Sequence, residues 1–274
     1  MTTTRRPTYG ANYFERLPDG PGLHRLHYNS CTLVDFALLV LRAGETYTFN
    51  TEAKEYGMDL LLGEAAIAAG PEEWALGGRS SVFDSLPSGA YVGCGEMVRI
   101  SARTDAQIAL GSAPSRTPIP SYPIHPSDVV TGHWGADATR RDFRYLINSD
   151  RPSERLWLAE VMVTNGRWAT YPPHKHEDIP EDVFQEEMYY YRVDPAHGFG
   201  FCAQFEGLVG ADYAFLIRDN TVHKMPHGYH TVAAAPGYRV WYLAVYAGRD
   251  KRHKPSPHPD HVNFAANGPS ASTK

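Results

Sequence analysis

The chain has 274 residues and a formal net charge of -5, enough for two domains of ~130 residues or one large β domain and without the basic balance of a nucleic-acid binder. Its 24 glycines, 21 prolines and 12% aromatic residues favour many short strands with tight turns over a helical bundle. Three scattered cysteines, an odd number, argue against a disulfide framework and for a reducing cytosol. Met1–Tyr9 is polar and basic with no apolar stretch after it, so no signal peptide is expected. Phe36–Leu41 is apolar but too short to span a bilayer. A cytoplasmic protein that contacts neither membrane nor nucleic acid follows as the expectation.

In chain order, Phe36–Leu41 reads as a strand that turns at Ala43-Gly44-Glu45 into Thr46–Thr51, and Met58–Gly63 reads as the next strand. Pro87-Ser88-Gly89-Ala90-Tyr91 follows as a turn. Ala113–Pro123 is rich in Pro and Ser and reads as an extended linker. The second half repeats the plan. Leu156–Val163 is a strand; Pro172-Pro173-His174-Lys175-His176 stands where Thr46–Thr51 stood; Glu187–Tyr191 is a strand; and Pro226-His227-Gly228-Tyr229-His230 parallels the Pro87–Tyr91 turn, with Tyr91 at the place of His230. A final strand covers Tyr238–Val245, and the small polar end Asn267–Lys274 is expected to fray. The expectation is an all-β bicupin, that is, two cupin-like barrel halves from an internal repeat. Residues 1–120 form a half without metal, with Phe49, Thr51 and Tyr91 at the ligand places. Residues 121–274 form the half that binds it.

His174 and His176 at i and i+2 point to one side of a strand. Glu187 on a neighbouring strand and His230 beyond a glycine turn complete a three-nitrogen, one-oxygen set suited to zinc, manganese, iron or nickel. HxH, a later Glu, then PxGxH resembles the cupin pattern. The gap between His176 and Glu187 is longer than in the simplest cupins; residues 177–182 are acidic, contain Pro, and read as a loop inserted between two strands.

Trp168–Glu177 (WATYPPHKHE) with Glu186–Arg192 (EEMYYYR) is similar to the 5-deoxy-glucuronate isomerase family of inositol catabolism, which is related to the 4-deoxy-5-ketouronate isomerases. Met225–His230, Tyr242–Gly248 and Ser81–Pro87 carry the same resemblance, which covers most of the chain. It departs from that pattern at Ala169-Thr170, His227, Val92–Gly95, Arg239 and Trp241. The resemblance implies a bicupin with a three-His, one-Glu zinc site. It also implies conversion of a deoxy-uronic acid, an aldose, into the ketose 2-deoxy-5-keto-gluconate.

That chemistry needs a metal to polarise oxygen atoms and a base to move a proton between neighbouring carbons. Glu160, Lys175, His223, His227 and Tyr242 are the candidate bases. Glu160 lies mid-strand among apolar residues, where a carboxylate is costly unless paired or functional. Lys175 alternates away from the two His. Tyr242 sits in an alternating strand. His223 and His227 flank a turn, where a solvated role is expected. Glu160, Lys175 and Tyr242 are carried forward as the catalytic set, and Arg192 or Arg239 as the anchor of the substrate carboxylate. An iron-dependent cupin dioxygenase and a non-catalytic sugar-binding cupin are the alternatives. The partner expected is a small sugar acid, and a homo-oligomer is compatible with the sequence.

Overall fold

The computed structural model of the protein describes residues 12–177, 184–205 and 212–265. Apart from two single-turn 3-10 helices and the short helix Pro259–Ala265, its regular elements are strands, and the pairings among the described residues are antiparallel. The β-branched and aromatic runs that suggested strands form them, because alternate side chains can be buried on one face.

Two sheets repeat one order. In the first half, Gly89–Val92, Lys54–Ala69, Ala106–Pro114 and Asp35–Leu41 are neighbours in that sequence. In the second, Thr221–Met225, Gln185–Asp194, Arg239–Gly248 and Leu156–Thr164 stand in the same relation. In the first half the long strand Lys54–Ala69 also pairs with Glu72–Arg79 and Met97–Ala102, which makes one nine-stranded sheet. In the second a separate five-stranded sheet carries Trp168–Lys175 and Tyr229–Ala234, and each half has its own apolar interior. A third buried cluster lies between the halves and joins Phe36, Leu38 and Tyr91 of the first to Met188, Tyr190, Trp241 and Val245 of the second.

Two short strands cross between the halves. Phe14–Arg16 pairs with Thr221–Met225 in the second half's sheet, and Tyr122–Ile124, at the far end of the linker, pairs with Gly89–Val92 in the first half's sheet. The linker is extended, and Glu154 holds it by accepting hydrogen bonds from Ser115 Oγ and from the backbone N–H groups of Arg116 and Thr117 at 2.8–2.9 Å. The end 267–274, the start 1–9 and residues 178–182 of the inserted loop lie outside the described residues.

Strand order corrects the alignment of the halves at one place. Gly89–Val92 is the counterpart of Thr221–Met225, so Tyr91 is not at the His230 position. Tyr91 instead faces the core between the halves, where its hydroxyl donates to Glu55 at 2.7 Å. The turn matching Pro226–Gly228 is Val92–Gly95. Gly95 (φ 83°) and Gly228 (φ 92°) both use the left-handed backbone that glycine permits, whereas Gly89 does not. By register, Phe49↔Val98 corresponds to His174↔His230, and Tyr56↔Val92 to Glu187↔Met225. The first half therefore carries Phe49, Thr51, Tyr56 and Val98 where the second carries its four candidate ligands.

Candidate metal centre

His174 is the second-last residue of the strand Trp168–Lys175, and His176 lies just beyond it. His174 is paired in register with His230 on Tyr229–Ala234, which brings the two imidazoles together across the sheet. Glu187 comes from the opposing sheet, on Gln185–Asp194. The nitrogen and oxygen atoms that the four residues can offer a cation all lie within 4.8 Å of one another. His176 Nε2 and His230 Nε2 each lie 3.1 Å from the same oxygen, Glu187 Oε2. His174 and His230 ring centroids are 4.8 Å apart, and His174 and His176 rings 5.0 Å apart. Glu186, the next residue along the strand, points the other way: its carboxylate accepts hydrogen bonds from Thr32 and Leu33 N–H and so fastens the first half to the second.

The electrostatics match a cation site. Burial depresses the pKa of His174 well below the usual imidazole range, and the neighbouring His230 and His176 add to the effect. Burial alone would raise Glu187, but the hydrogen bonds from His176 and His230 outweigh it and hold the carboxyl well below the usual carboxylate range. Neutral imidazole and ionised carboxylate are the forms that ligate a metal. His176 Nδ1 is buried with no hydrogen-bond partner among the described residues, as a ring with work for a nitrogen would be. Two buried imidazoles on one carboxylate oxygen, with the partly exposed His174 ring beside them, thus fit a divalent ion of the nitrogen- and oxygen-preferring kind.

The quartet borders a cavity of about 500 Å³. His174 and Glu187 reach it, with Tyr145, Tyr189, Tyr242, Tyr246, Arg141 and His253 along its walls. Thr170, at φ 51°, and Tyr171 bring the irregular part of their strand to the same space. Burial raises the phenols of Tyr189 and Tyr242, and the Glu187 charge raises both further, so both stay protonated at neutral pH. Tyr189 Oη is 3.3 Å from His230 Nε2, and the Tyr189 and Tyr242 rings are 4.3 Å apart.

Of the three residues expected to act on substrate, the structure brings only Tyr242 to the cavity. Glu160 is sealed between the halves, 2.6 Å from Arg79 and 3.1 Å from Arg144, with Asp59 in the same cluster. Its mid-strand carboxylate is the paired kind. Lys175 alternates off the metal face and lies over the Tyr229 ring at 5.1 Å. His223 is not solvated: it is fully buried, 3.0 Å from Gln204 Oε1, and burial lowers its pKa to about 3. His227 is half-buried against Tyr13. Arg192 is held by Asp219 and Gln107, and Arg239 by Asp194 and Asp84.

Arg141 and His253 are cavity residues that no sequence motif marked. His253 lies near the chain end, where proline-broken sequence gives no strand signal; Arg141 opens a strand preceded by an irregular loop. His253 Nδ1 is 2.7 Å from Gln185 Oε1, an acceptor, so Nδ1 carries the proton and Nε2 does not. Burial lowers its pKa to about 4, which keeps the ring neutral.

Comparison with known proteins agrees with this geometry. A 5-deoxy-glucuronate isomerase of Geobacillus kaustophilus (strain HTA426) is 33% identical over 232 residues, 83% of this chain and 84% of the relative. One from Bacillus subtilis (strain 168) is 31% identical over 228 residues, 81% of this chain and 84% of the relative. The crystal structure of an IolB-like protein from Salmonella typhimurium LT2 superposes with a TM-score of 0.87 at 25% identity, covering 93% of this chain and 99% of that one. The oxalate decarboxylase of Lactobacillus farciminis shares the fold alone, with a TM-score of 0.68 at 11% identity over 95% of this chain and 97% of that one. The KduI/IolB family profile matches residues 23–264, so the chain belongs to the KduI/IolB family.

Proposed function

We propose that the protein is a metal-dependent aldose–ketose isomerase that converts 5-deoxy-glucuronate to 2-deoxy-5-keto-gluconate in the cytoplasm, as a step of inositol catabolism. The observation that carries it is the quartet His174, His176, Glu187 and His230 at the edge of a phenol-lined cavity, in a chain whose curated relatives are named for that reaction. Among the described residues no helix is long and apolar enough to cross a membrane. Zinc is the metal we assign, because a proton shift needs no change of redox state; manganese, iron and nickel suit the same donors.

The four ligands would hold the ion, which supplies Lewis acidity that makes the hydrogen beside the sugar carbonyl more acidic. The protein's own groups then handle protons. His253, neutral and with Nε2 unprotonated, is placed in the cavity wall to take a proton from carbon. Tyr242 and Tyr189, kept protonated by burial, can donate a proton to the carbonyl oxygen and recover one from the neighbouring hydroxyl as the double bond shifts, while His253 delivers the proton it took to the neighbouring carbon. Apolar neighbours such as Val161 and Ala244 limit water around these groups.

The test is turnover of 5-deoxy-glucuronate by metal-free and zinc-reloaded protein in deuterated water, with and without oxygen. Isomerised product in the zinc-loaded sample, formed equally without oxygen and deuterated at the accepting carbon unless the base returns the same proton, supports the proposal. Strict oxygen dependence with iron alone active would replace it by the dioxygenase reading, and no turnover of any uronic acid by the fully loaded protein by a binding role.

A further inference from the structure

A sugar-acid isomerase must hold a carboxylate at one end of its cavity while carbon atoms react at the other. Arg141 begins the strand Arg141–Ile147 and lines the cavity together with His174 and Glu187. One guanidinium nitrogen donates to the Thr139 carbonyl at 3.1 Å, and the guanidinium carbon lies 5.5 Å over the Trp134 ring. These two contacts orient the planar fork without neutralising it. No carboxylate among the described residues pairs with it; the neutral phenols of Tyr242 and Tyr189 share its cavity.

The backbone is shaped around this arginine. Gly135 sits at φ 65°, and a Cβ there would lie 2.4 Å from the Thr139 carbonyl oxygen and 2.9 Å from the Arg141 nitrogen. Any side chain at Gly135 would therefore push the guanidinium out of its seat. An unpaired, half-buried guanidinium facing a cavity is costly unless a ligand completes it, and its fork geometry suits a carboxylate held by two parallel hydrogen bonds. Tyr189, whose hydroxyl is 3.3 Å from His230 Nε2, connects its neighbourhood to the quartet. Arg141, His174 and Glu187 line one cavity, so a single ligand can face all three.

The geometry points to Arg141 as the residue that binds the substrate's carboxylate and sets the preference for sugar acids over neutral sugars, an inference that rests on the isomerase assigned above to the same cavity. The experiment measures binding of D-glucuronate and of glucose to zinc-loaded protein by calorimetry, beside metal content and turnover of 5-deoxy-glucuronate. Wild type is expected to bind glucuronate roughly tenfold to hundredfold more tightly than glucose. R141Q should lose that preference while keeping its zinc and its glucose affinity, and R141K, which keeps the charge but not the fork, should fall between. Loss of the preference in R141Q upholds the carboxylate site even in a protein without isomerase turnover. Equal glucuronate affinity in wild type and R141Q, or no glucuronate preference in wild type, overturns it even in an active isomerase. If R141Q does not fold, wild-type glucuronate affinity in R141K overturns it, and a reduced preference in R141K upholds it.

Discussion

His176 offers its two ring nitrogens to different surroundings: Nε2 meets the Glu187 carboxylate, and Nδ1 is buried without a hydrogen-bond partner among the described residues. A ring so placed is better explained by a cation than by packing. His176→Ala should therefore lower bound zinc by at least about tenfold while leaving a folded protein, since the apolar interior around it stays intact. Metal analysis beside circular dichroism checks this; full metal occupancy would remove His176 from the ligand set. Tyr242 differs, because it lines the cavity but no ligand atom is required of it. Tyr242→Phe should retain its zinc and show kcat about 100-fold lower with KM little changed. A wild-type kcat in that variant would reduce Tyr242 to core packing.

Strand alternation divides the work of neighbouring residues. On Gln185–Asp194, Glu187 faces the quartet and Glu186 takes the N–H groups of Thr32 and Leu33 on the other side. The same alternation places His174 in the site and Lys175 over Tyr229, as the HxH spacing implied. It did not reveal that Glu160 ends among arginines, because those arginines belong to other strands. The linker is fixed by a similar device. Burial pushes Glu154 up, but hydrogen bonds from Arg116 N–H, Thr117 N–H and Ser115 Oγ hold its carboxyl at about 2, below its usual 4.5. A carboxyl with a depressed folded pKa adds stability above the unfolded value, and that stability is lost as pH falls from about 4.5 to 2. Glu154→Gln should cost on the order of 1–3 kcal/mol at pH 7 and flatten the fall of stability in that acid range, as measured by urea unfolding across pH. An unchanged acid limb would show that the linker is held elsewhere.

Across the whole molecule, the halves meet through apolar packing and polar contacts that include a buried ion cluster. Arg79 and Asp59 of the first half and Glu160 and Arg144 of the second share it, and Arg144 also donates to the Val82 and Ser85 carbonyls. Desolvation and the nearby Glu160 raise the Asp59 carboxyl well above its usual range, while Arg79 opposes them. Glu160→Ala leaves Arg79 buried with less compensation and should destabilise the protein by about 3–5 kcal/mol. Zinc content of the folded fraction should not change, since Glu160 is outside the cavity. Thermal melting with metal analysis tests both; loss of zinc without loss of stability would return Glu160 to the site.

Sequence by itself determined what depends on local spacing and order: the all-β class, the repeated plan, and the choice of His174, His176, Glu187 and His230 as candidate metal ligands, which the fold gathers into one cluster. Periodicity of two reports which residues share a face, and the glycine of the Pro226–His230 turn reports a backbone that L side chains avoid. Tertiary structure decided what depends on which strands lie side by side. It moved Tyr91 off the His230 position and put Val98 there, because turn chemistry looks alike at successive turns whereas strand pairing does not. It paired Glu160 with Arg79, carried Phe14–Arg16 into the other half's sheet, and brought Arg141 and His253 to one cavity from positions 112 residues apart in the chain (253 − 141 = 112). No local pattern encodes such meetings, since each is set by the closure of a barrel from distant segments.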